Sequence, residues 1–468
     1  SGQNVLLKDF SAYANQVTAS FVSHAESMAA LENRPLIYLT SSKTSKEQTA
    51  LQALKDHPVD EGLICILSVV ECCQTLQPKK HDNGRLSLDT VNRKCKYFYF
   101  YFLDKHLGFM HVKLQTWFPF LIQVYINGRE MMKHVFEESG ISYQMYDNSF
   151  IEISDIPKAQ ELADRFDSKS LCRQLDFFAR KVNPYLDTIE RTFHQGYHWC
   201  VDQCEYATDV MFKSREALED IYPSLVGHAF YGFHCTDVFS FLGRKLHHKF
   251  QGEAVSDYRK RPEGWRIKFK MKSNSIKMYD KFSCLRIEMT INDPKEFKVY
   301  KDVHHEDGTI SRRCVPMGKS ISNLYRYAEI SKAANKRFLN SMQDIIPAKT
   351  IEREINRICS RKKVKERTYS GYNVWAEDTT LLFETISDGK YLIRGFTNRE
   401  IRHSIVKGDP DSAKVKGQIS RELAKLRAHG LIRKVPHSRR YLVSGKGRRV
   451  MGALIESKRK IYPELAAE

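Results

Sequence analysis

The 468-residue chain contains no apolar run long enough to cross a bilayer as a helix. The best stretch, Leu107–Ile126, is broken by His111, Lys113, Gln115 and Gln123, so no membrane partner is expected. Its eleven cysteines are an odd number with no Cys-x-x-Cys pair, which argues against a disulfide framework and for a reducing compartment. Residues Ser1–Phe10 lack a basic segment followed by an apolar one, so no secretory signal is expected and a cytoplasmic location is the default. There is no internal repeat, no low-complexity tract and no glycine-rich phosphate loop. The turn Ser41-Ser42-Lys43-Thr44 precedes a helix but has no glycine, so helix capping is its expected role rather than anion binding.

Positive charge is what the chain has in excess. Its 75 Lys and Arg against 56 Asp and Glu give +19, which calls for a polyanionic partner. Tyr391–Glu468 alone holds 19 Lys and Arg against 7 Asp and Glu, so +12 of that charge lies in the last sixth of the chain. Hydrophobic residues at 42% and charged residues at 28% suit a folded protein, and at about 100–200 residues per domain the length predicts two to four domains.

The expected class is α+β and multidomain, with mixed α/β N-terminal and central regions and a C-terminal winged helix-turn-helix. Residues 1–150 read as an α/β domain with aromatic-rich strands. Its strand–helix–strand unit spans Leu36–Glu71, and in Lys96–Leu103 Tyr97, Tyr99 and Tyr101 alternate with Phe98, Phe100 and Phe102. The Phe face belongs in a core; the Tyr face is a second packing surface or a platform on which unpaired bases stack. Residues 151–350 read as a central domain with basic antiparallel strands, in which Asp302–Gly318 is a loop and Ser320–Leu339 a helix. Residues 351–390 read as a basic helix and linker, and 391–468 as the DNA-binding domain.

In that last segment Thr397 caps a helix over Asn398–Val406, and Lys414–His429 forms a second helix stopped by Gly430. Val415, Ile419, Leu423 and Leu426 mark its core face. The opposite face carries Lys414, Lys416, Gln418, Arg421 and Lys425, residue types that read base edges and phosphates. Strands on either side of His437-Ser438-Arg439-Arg440 form a hairpin in which Arg433, Lys434, Arg439 and Arg440, with Lys446 beyond it, are expected to hold phosphates. Over about 60 residues, and above all in LRAHGLIRKVPHSRRYLVSGKGR (Leu426–Arg448), this segment resembles the winged helix of bacterial repressors of the multiple-antibiotic-resistance type. The resemblance implies a recognition helix in the major groove and a basic wing beside it.

A second basic surface is expected upstream, where Arg266, Lys268, Lys270 and Lys272 alternate with Ile267, Phe269 and Met271, because four cations in a row repel unless an anion neutralises them. The following NSIKMYDK and LRIEMTI resemble a strand pair of rolling-circle replication initiators from plasmids and filamentous phages. That resemblance implies a tyrosine that nicks DNA with help from a divalent metal, Mg or Mn. The candidates are Tyr279 as nucleophile, with Tyr325 and Tyr327 as alternatives; Asp209 and Glu288 as metal ligands; and Lys277, Lys281 and Arg286 as stabilising cations. The His-hydrophobic-His pair of such enzymes has no counterpart, since no His-x-His occurs.

Asp202, Glu205 and Asp209 would share a face on a helix. On a strand, which Thr208 and Val210 favour, Glu205 and Asp209 stand about 13 Å apart and ion pairs with the basic strands are expected instead. His198, Cys200, Cys204, His234 and Cys235 are metal-ligand types without a zinc spacing, and buried thiols with satisfied histidines are the simpler reading. GFMHVKLQTWFPF and KRPEGWR (Lys260–Arg266) are similar to runs in a group of uncharacterised bacterial proteins, which implies a bacterial or mobile-element origin. The expected function is nucleic-acid binding, with DNA the leading partner, metal-dependent nicking an attached activity, and oligomerisation open. The alternatives are a non-enzymatic regulator with a sensing or oligomerising N-terminal region, and a structured-RNA-binding protein.

Overall fold

The computed structural model describes residues 5–146, 148–165, 168–194, 196–233, 235–244, 254–261, 264–304, 309–342, 348–391, 394–406 and 408–465. The chain is a mixed α/β, multidomain protein. It forms two compact units, one over Ser1–Val201 with Ser320–Ser322, the other over Asp202–Lys319 with Asn323–Glu468. The boundary expected at residue 150 instead falls inside a strand, Ser149–Ile153, because that strand closes a hairpin within the first unit.

In the first unit helix α1 (Phe10–Leu31) buries Phe10, Ala14, Val17, Phe21, Ala25 and Met28, a stripe at three- and four-residue spacing. Strand β1 (Leu36–Leu39) pairs in parallel with β2 (Gly62–Lys80), which requires a crossover, supplied by α2 (Lys46–Asp56). Ser45 caps α2 through the Gln48 amide at 3.3 Å, so capping is what the polar turn provides. Antiparallel strands β3 (Leu86–Asp104), β4 (Gly108–Gln115) and β5 (Ile122–Tyr125) complete the sheet in the order β1-β2-β3-β4-β5. Helix α3 (Gly128–Glu138), the hairpin β6 (Tyr143–Tyr146) and β7 (Ser149–Ile153), and helices α4 (Ile156–Asp164), α5 (Ser168–Val182) and α6 (Leu186–Phe193) follow.

Both faces of β3 are covered. Phe102 meets Phe178 of α5 at 5.1 Å between ring centroids, while Tyr97, Tyr99 and Tyr101 share a core with Phe10 and Ala14 of α1 and Ala50 and Ala53 of α2. The tyrosines are 8%, 7% and 2% exposed, so this face packs and offers no ring for a base. Their hydroxyls are used internally, Tyr97 donating to Gln115 and Tyr99 to Glu71. Beside them His111 stacks on Tyr125, and burial, reinforced by the Lys113 ammonium, lowers it from 6.5 to about 4. The fold therefore favours the neutral ring. That preference is fully present above about pH 6.5 and lost as pH falls toward 4, about 3 kcal/mol in all. In urea titrations across that window, His111→Phe is expected to lose stability less steeply than the wild type; parallel curves would refute this assignment.

The second unit is built on an antiparallel sheet of order β8-β12-β11-β10-β9. Its elements begin with β8 (Cys204–Met211), α7 (Arg215–Gly232) and α8 (Cys235–Phe241), and continue with the meander β9 (Ala254–Arg261), β10 (Gly264–Met271), β11 (Asn274–Lys281) and β12 (Cys284–Ile291). A hairpin of β13 (Lys298–His304) and β14 (Ile310–Pro316) stands where a loop over Asp302–Gly318 is expected; residues 305–308 of that stretch lie outside the described residues. Helix α9 (Leu324–Ser341) lies on the apolar face of the sheet. There Phe338 joins Phe233, Phe241 and Phe269, and Asn335 Nδ2 donates to the carbonyls of Tyr206 and Ile287 at 3.1 and 3.2 Å. No helix among the described residues is long and apolar enough to cross a membrane.

The remaining elements are α10 (Ala348–Cys359), β15 (Lys362–Val364), β16 (Arg367–Tyr369), α11 (Glu377–Ile386), β17 (Phe396–Thr397), α12 (Asn398–Ile405), α13 (Ala413–Ala428), β18 (Ile432–Lys434), β19 (Arg440–Val443) and α14 (Gly445–Leu465). All of these but the hairpin β15–β16 share one core, in which Ile358, Tyr372, Leu382, Phe383 and Ile386 pack with Ile401, Leu423, Leu426, Val450 and Met451. The stretch 351–390 is thus no linker. The basic helix ends at Cys359, and the chain turns into a hairpin before contributing to the same core.

Candidate nucleic-acid interface

Alternation along the strands sorts the central sheet into two faces. Ile267, Phe269, Met271, Ile276, Met278, Ile287 and Met289 form the buried apolar side. On the other side cross-strand pairing sets Lys277 opposite Glu288, Tyr279 opposite Arg286, and Arg286 opposite Asp209. All four candidate catalytic residues therefore converge.

Their bonds, however, are those of a closed ion-pair network. Arg286, fully buried, forks onto Asp209, Nε donating to Oδ1 at 2.7 Å and Nη2 to Oδ2 at 2.8 Å. Lys277 Nζ donates to Glu288 Oε1 at 2.6 Å and lies 3.5 Å from Glu205. The Tyr279 hydroxyl donates to Glu288 Oε2 at 2.5 Å. Burial alone would raise the Glu288 carboxyl, but Lys277, Tyr279 and Arg286 together hold it below the ordinary carboxylate range. Burial first, and then the Glu288 charge, push the Tyr279 hydroxyl up.

This arrangement does not fit the nicking chemistry. Tyr279 is only 8% exposed and its proton is held by a carboxylate, so it cannot reach a phosphodiester. Asp209 and Glu288 are each engaged by donors of the protein itself, Asp209 by the Arg286 fork and Glu288 by Lys277 and Tyr279, and among the described residues no group of three or more His, Cys, Asp or Glu could hold a metal. Glu205 and Asp209 lie on a strand, and Asp202 is an exposed partner of Lys319 at 3.1 Å. On α9 Tyr325 is exposed and Tyr327 buried in the core. Lys281 is buried and lies with its ammonium 5.8 Å from the Tyr279 ring centre. Cys200 pairs through its backbone with Ser320, Cys204 begins β8, and His234 lies outside the described residues.

The expected row of four cations on β10 is also broken. Arg266 and Lys268 are half-buried and Lys270 is exposed, but Lys272 sits in the turn after the strand at φ 52° and holds Glu296 at 2.5 Å.

The C-terminal elements differ in this respect. Thr397 and Glu400 form a reciprocal capping box at the start of α12, and Ser412 caps α13 through the Val415 amide. The turn between the helices is clamped by Arg402, which is 8% exposed and bonds Asn398 and Asp411. The Arg402 hydrogen bond holds the Asp411 carboxyl below its ordinary range. Helix α13 buries Ile419, Leu423 and Leu426 and exposes Lys414, Lys416, Gln418 and Arg421. Strands β18 and β19 pair antiparallel next to β17, and His437 turns the hairpin at φ 52°.

The candidate cations divide into two groups. Lys425 lies over the Tyr372 ring at 3.9 Å, Lys446 donates to the His429 carbonyl at 3.2 Å, and Arg440 donates to the Gly395 carbonyl at 2.9 Å with Glu400 3.6 Å away. These three bind the fold to itself, and Lys416 stands 3.9 Å from Asp411. By contrast Lys414, Arg421, Arg433, Lys434 and Arg439 are exposed, and among the described residues none of the five is in an ion pair. Comparison with protein-family models, with curated proteins and with solved structures found no match to this chain.

Proposed function

We propose that the protein binds duplex DNA through a winged helix-turn-helix, with α12 and α13 as the helix-turn-helix and β18–β19 as the wing. The observation that carries this reading is the set of exposed, acid-free cations on α13 and the wing. A phosphate polymer neutralises such a set, and a helix presenting Lys, Gln and Arg along one side suits the major groove. The reading agrees with the resemblance of Leu426–Arg448 to bacterial repressors. Nicking by Tyr279 is not part of it, because that hydroxyl is buried and committed to Glu288. RNA is the weaker partner, since the tyrosine face that suggested it is packed against α1 and α2.

The test is a salt series with a fluorescent duplex. On a duplex of about 12 base pairs, four phosphate contacts, from Lys414, Arg433, Lys434 and Arg439, predict that log K falls with log salt at a slope of about −3 to −4; a flat line would overturn the reading. Alanine at Gln418 or Arg421 is expected to cost about 1–3 kcal/mol of discrimination at one base pair in selection from a randomised pool. Arg433→Ala should weaken all sequences alike.

A further inference from the structure

Between α10 and α11, Arg361–Tyr369 reads RKKVKERTY, five cations against one acid. Residues 362 and 363 pair with 369 and 368 across a two-residue turn, and every residue from 361 to 368 is exposed. At the tip Lys365 adopts φ 52°, a conformation in which glycine or asparagine would be relaxed, so a cation occupies the point of furthest reach at a cost in strain. Among the described residues none of Lys362, Lys363, Lys365 or Arg367 is in an ion pair.

A two-stranded hairpin alone is marginal, and this one is anchored at its base. Gly371 runs so close to α10 that a Cβ there would lie 1.8 Å from the Cys359 carbonyl oxygen, which makes glycine a requirement. Tyr372 N then donates to the Ile358 carbonyl at 2.8 Å, and its ring enters the core. His429, the residue that ends α13, holds the Ser370 carbonyl through Nε2 at 3.0 Å. The hairpin is thus rooted at the same end of α13 from which the wing departs. Burial lowers the Lys446 ammonium; the Glu354 carboxylate, paired with Arg449 at 3.0 Å, opposes this, and the positive charges of Arg357, Lys362 and Arg449 add to it, so α10, the hairpin and α14 bring their charges together there.

We infer that β15–β16 is a second cationic finger that grips the phosphates of the same duplex, outside the stretch read by α13 and the wing. The inference rests on the DNA-binding reading and deepens it, since it assigns contacts and a longer footprint that α13 does not provide. Duplex DNA is the occupant because the finger carries cations and no ring suited to stacking other than the half-buried Tyr369.

The experiment compares the full chain with Lys362→Ala/Lys363→Ala/Lys365→Ala/Arg367→Ala and with the single variant Lys365→Gly, which suits the turn and removes one charge. Binding is measured against salt on duplexes of about 12 and about 30 base pairs, the shorter one spanning little beyond a recognition-helix footprint. On the longer duplex the salt slope is expected to fall by about 3–4 for the quadruple variant and by about 1 for Lys365→Gly, with sequence preference unchanged. On the shorter duplex both changes should be under about 1. Unchanged slopes on both lengths overturn the inference, as does a loss confined to an RNA duplex of equal length. If the wild type binds with a steep slope that Arg433→Ala reduces while the finger variants do nothing, only the finger is refuted; a wild type insensitive to salt refutes the parent reading as well.

Discussion

Replacing Arg433, Lys434 and Arg439 together with alanine is expected to weaken duplex binding about a hundredfold at about 0.15 M salt and to lower the salt slope by about 3. Each exposed cation displaces a condensed counterion when it meets a phosphate, so the loss is greatest at low salt and shrinks as salt rises. Stability should hardly change, because all three side chains are exposed and among the described residues none is in an ion pair. Arg440 is the internal control. It ties β19 to the Gly395 carbonyl, so Arg440→Ala should lower the melting temperature as well as the affinity. Affinity unchanged in the triple variant would remove the wing from the interface.

The second large effect concerns folding. Arg286→Ala is expected to cost about 3–5 kcal/mol, because it leaves the Asp209 carboxylate facing the sheet without its forked partner. Exchanging both members for apolar residues, Arg286→Met with Asp209→Leu, should recover most of that loss, since the cost comes from an orphaned charge rather than from a missing attraction. Denaturant titration of the single and double variants measures both. A single variant within about 1 kcal/mol of the wild type would mean that Asp209 is solvated well enough without the arginine, and the ion-pair account would fall.

Much of this was legible in the residues themselves. Period-two alternation in Tyr97–Phe102 and in Arg266–Met271 specifies strands, and parity alone puts Lys277, Tyr279, Arg286 and Glu288 on one sheet face once β11 and β12 are paired. What each carboxylate meets there was not legible. That depends on β8 joining at the edge of β12, a pairing between residues 77 apart in the chain that sets Arg286 against Asp209. The same limit applies at Arg353–Arg367. The four-residue spacing of Arg353, Arg357 and Arg361 reads as a continuing helix, whereas the turn at Ser360 is imposed by Ile358 and Tyr372 reaching a core whose other members lie beyond residue 380. The capping box, the Gly430 stop and the apolar stripe of α13 were readable because helix ends and helix faces are local properties.

The shared core of α10 through α14 also fixes where this protein can be cut. A fragment starting at residue 391 would discard Ile358, Tyr372, Leu382, Phe383 and Ile386 and leave their greasy partners on α13 and α14 open to water. Any fragment that keeps this interior must begin no later than α10, so the hairpin β15–β16 and helix α13 stay together in it.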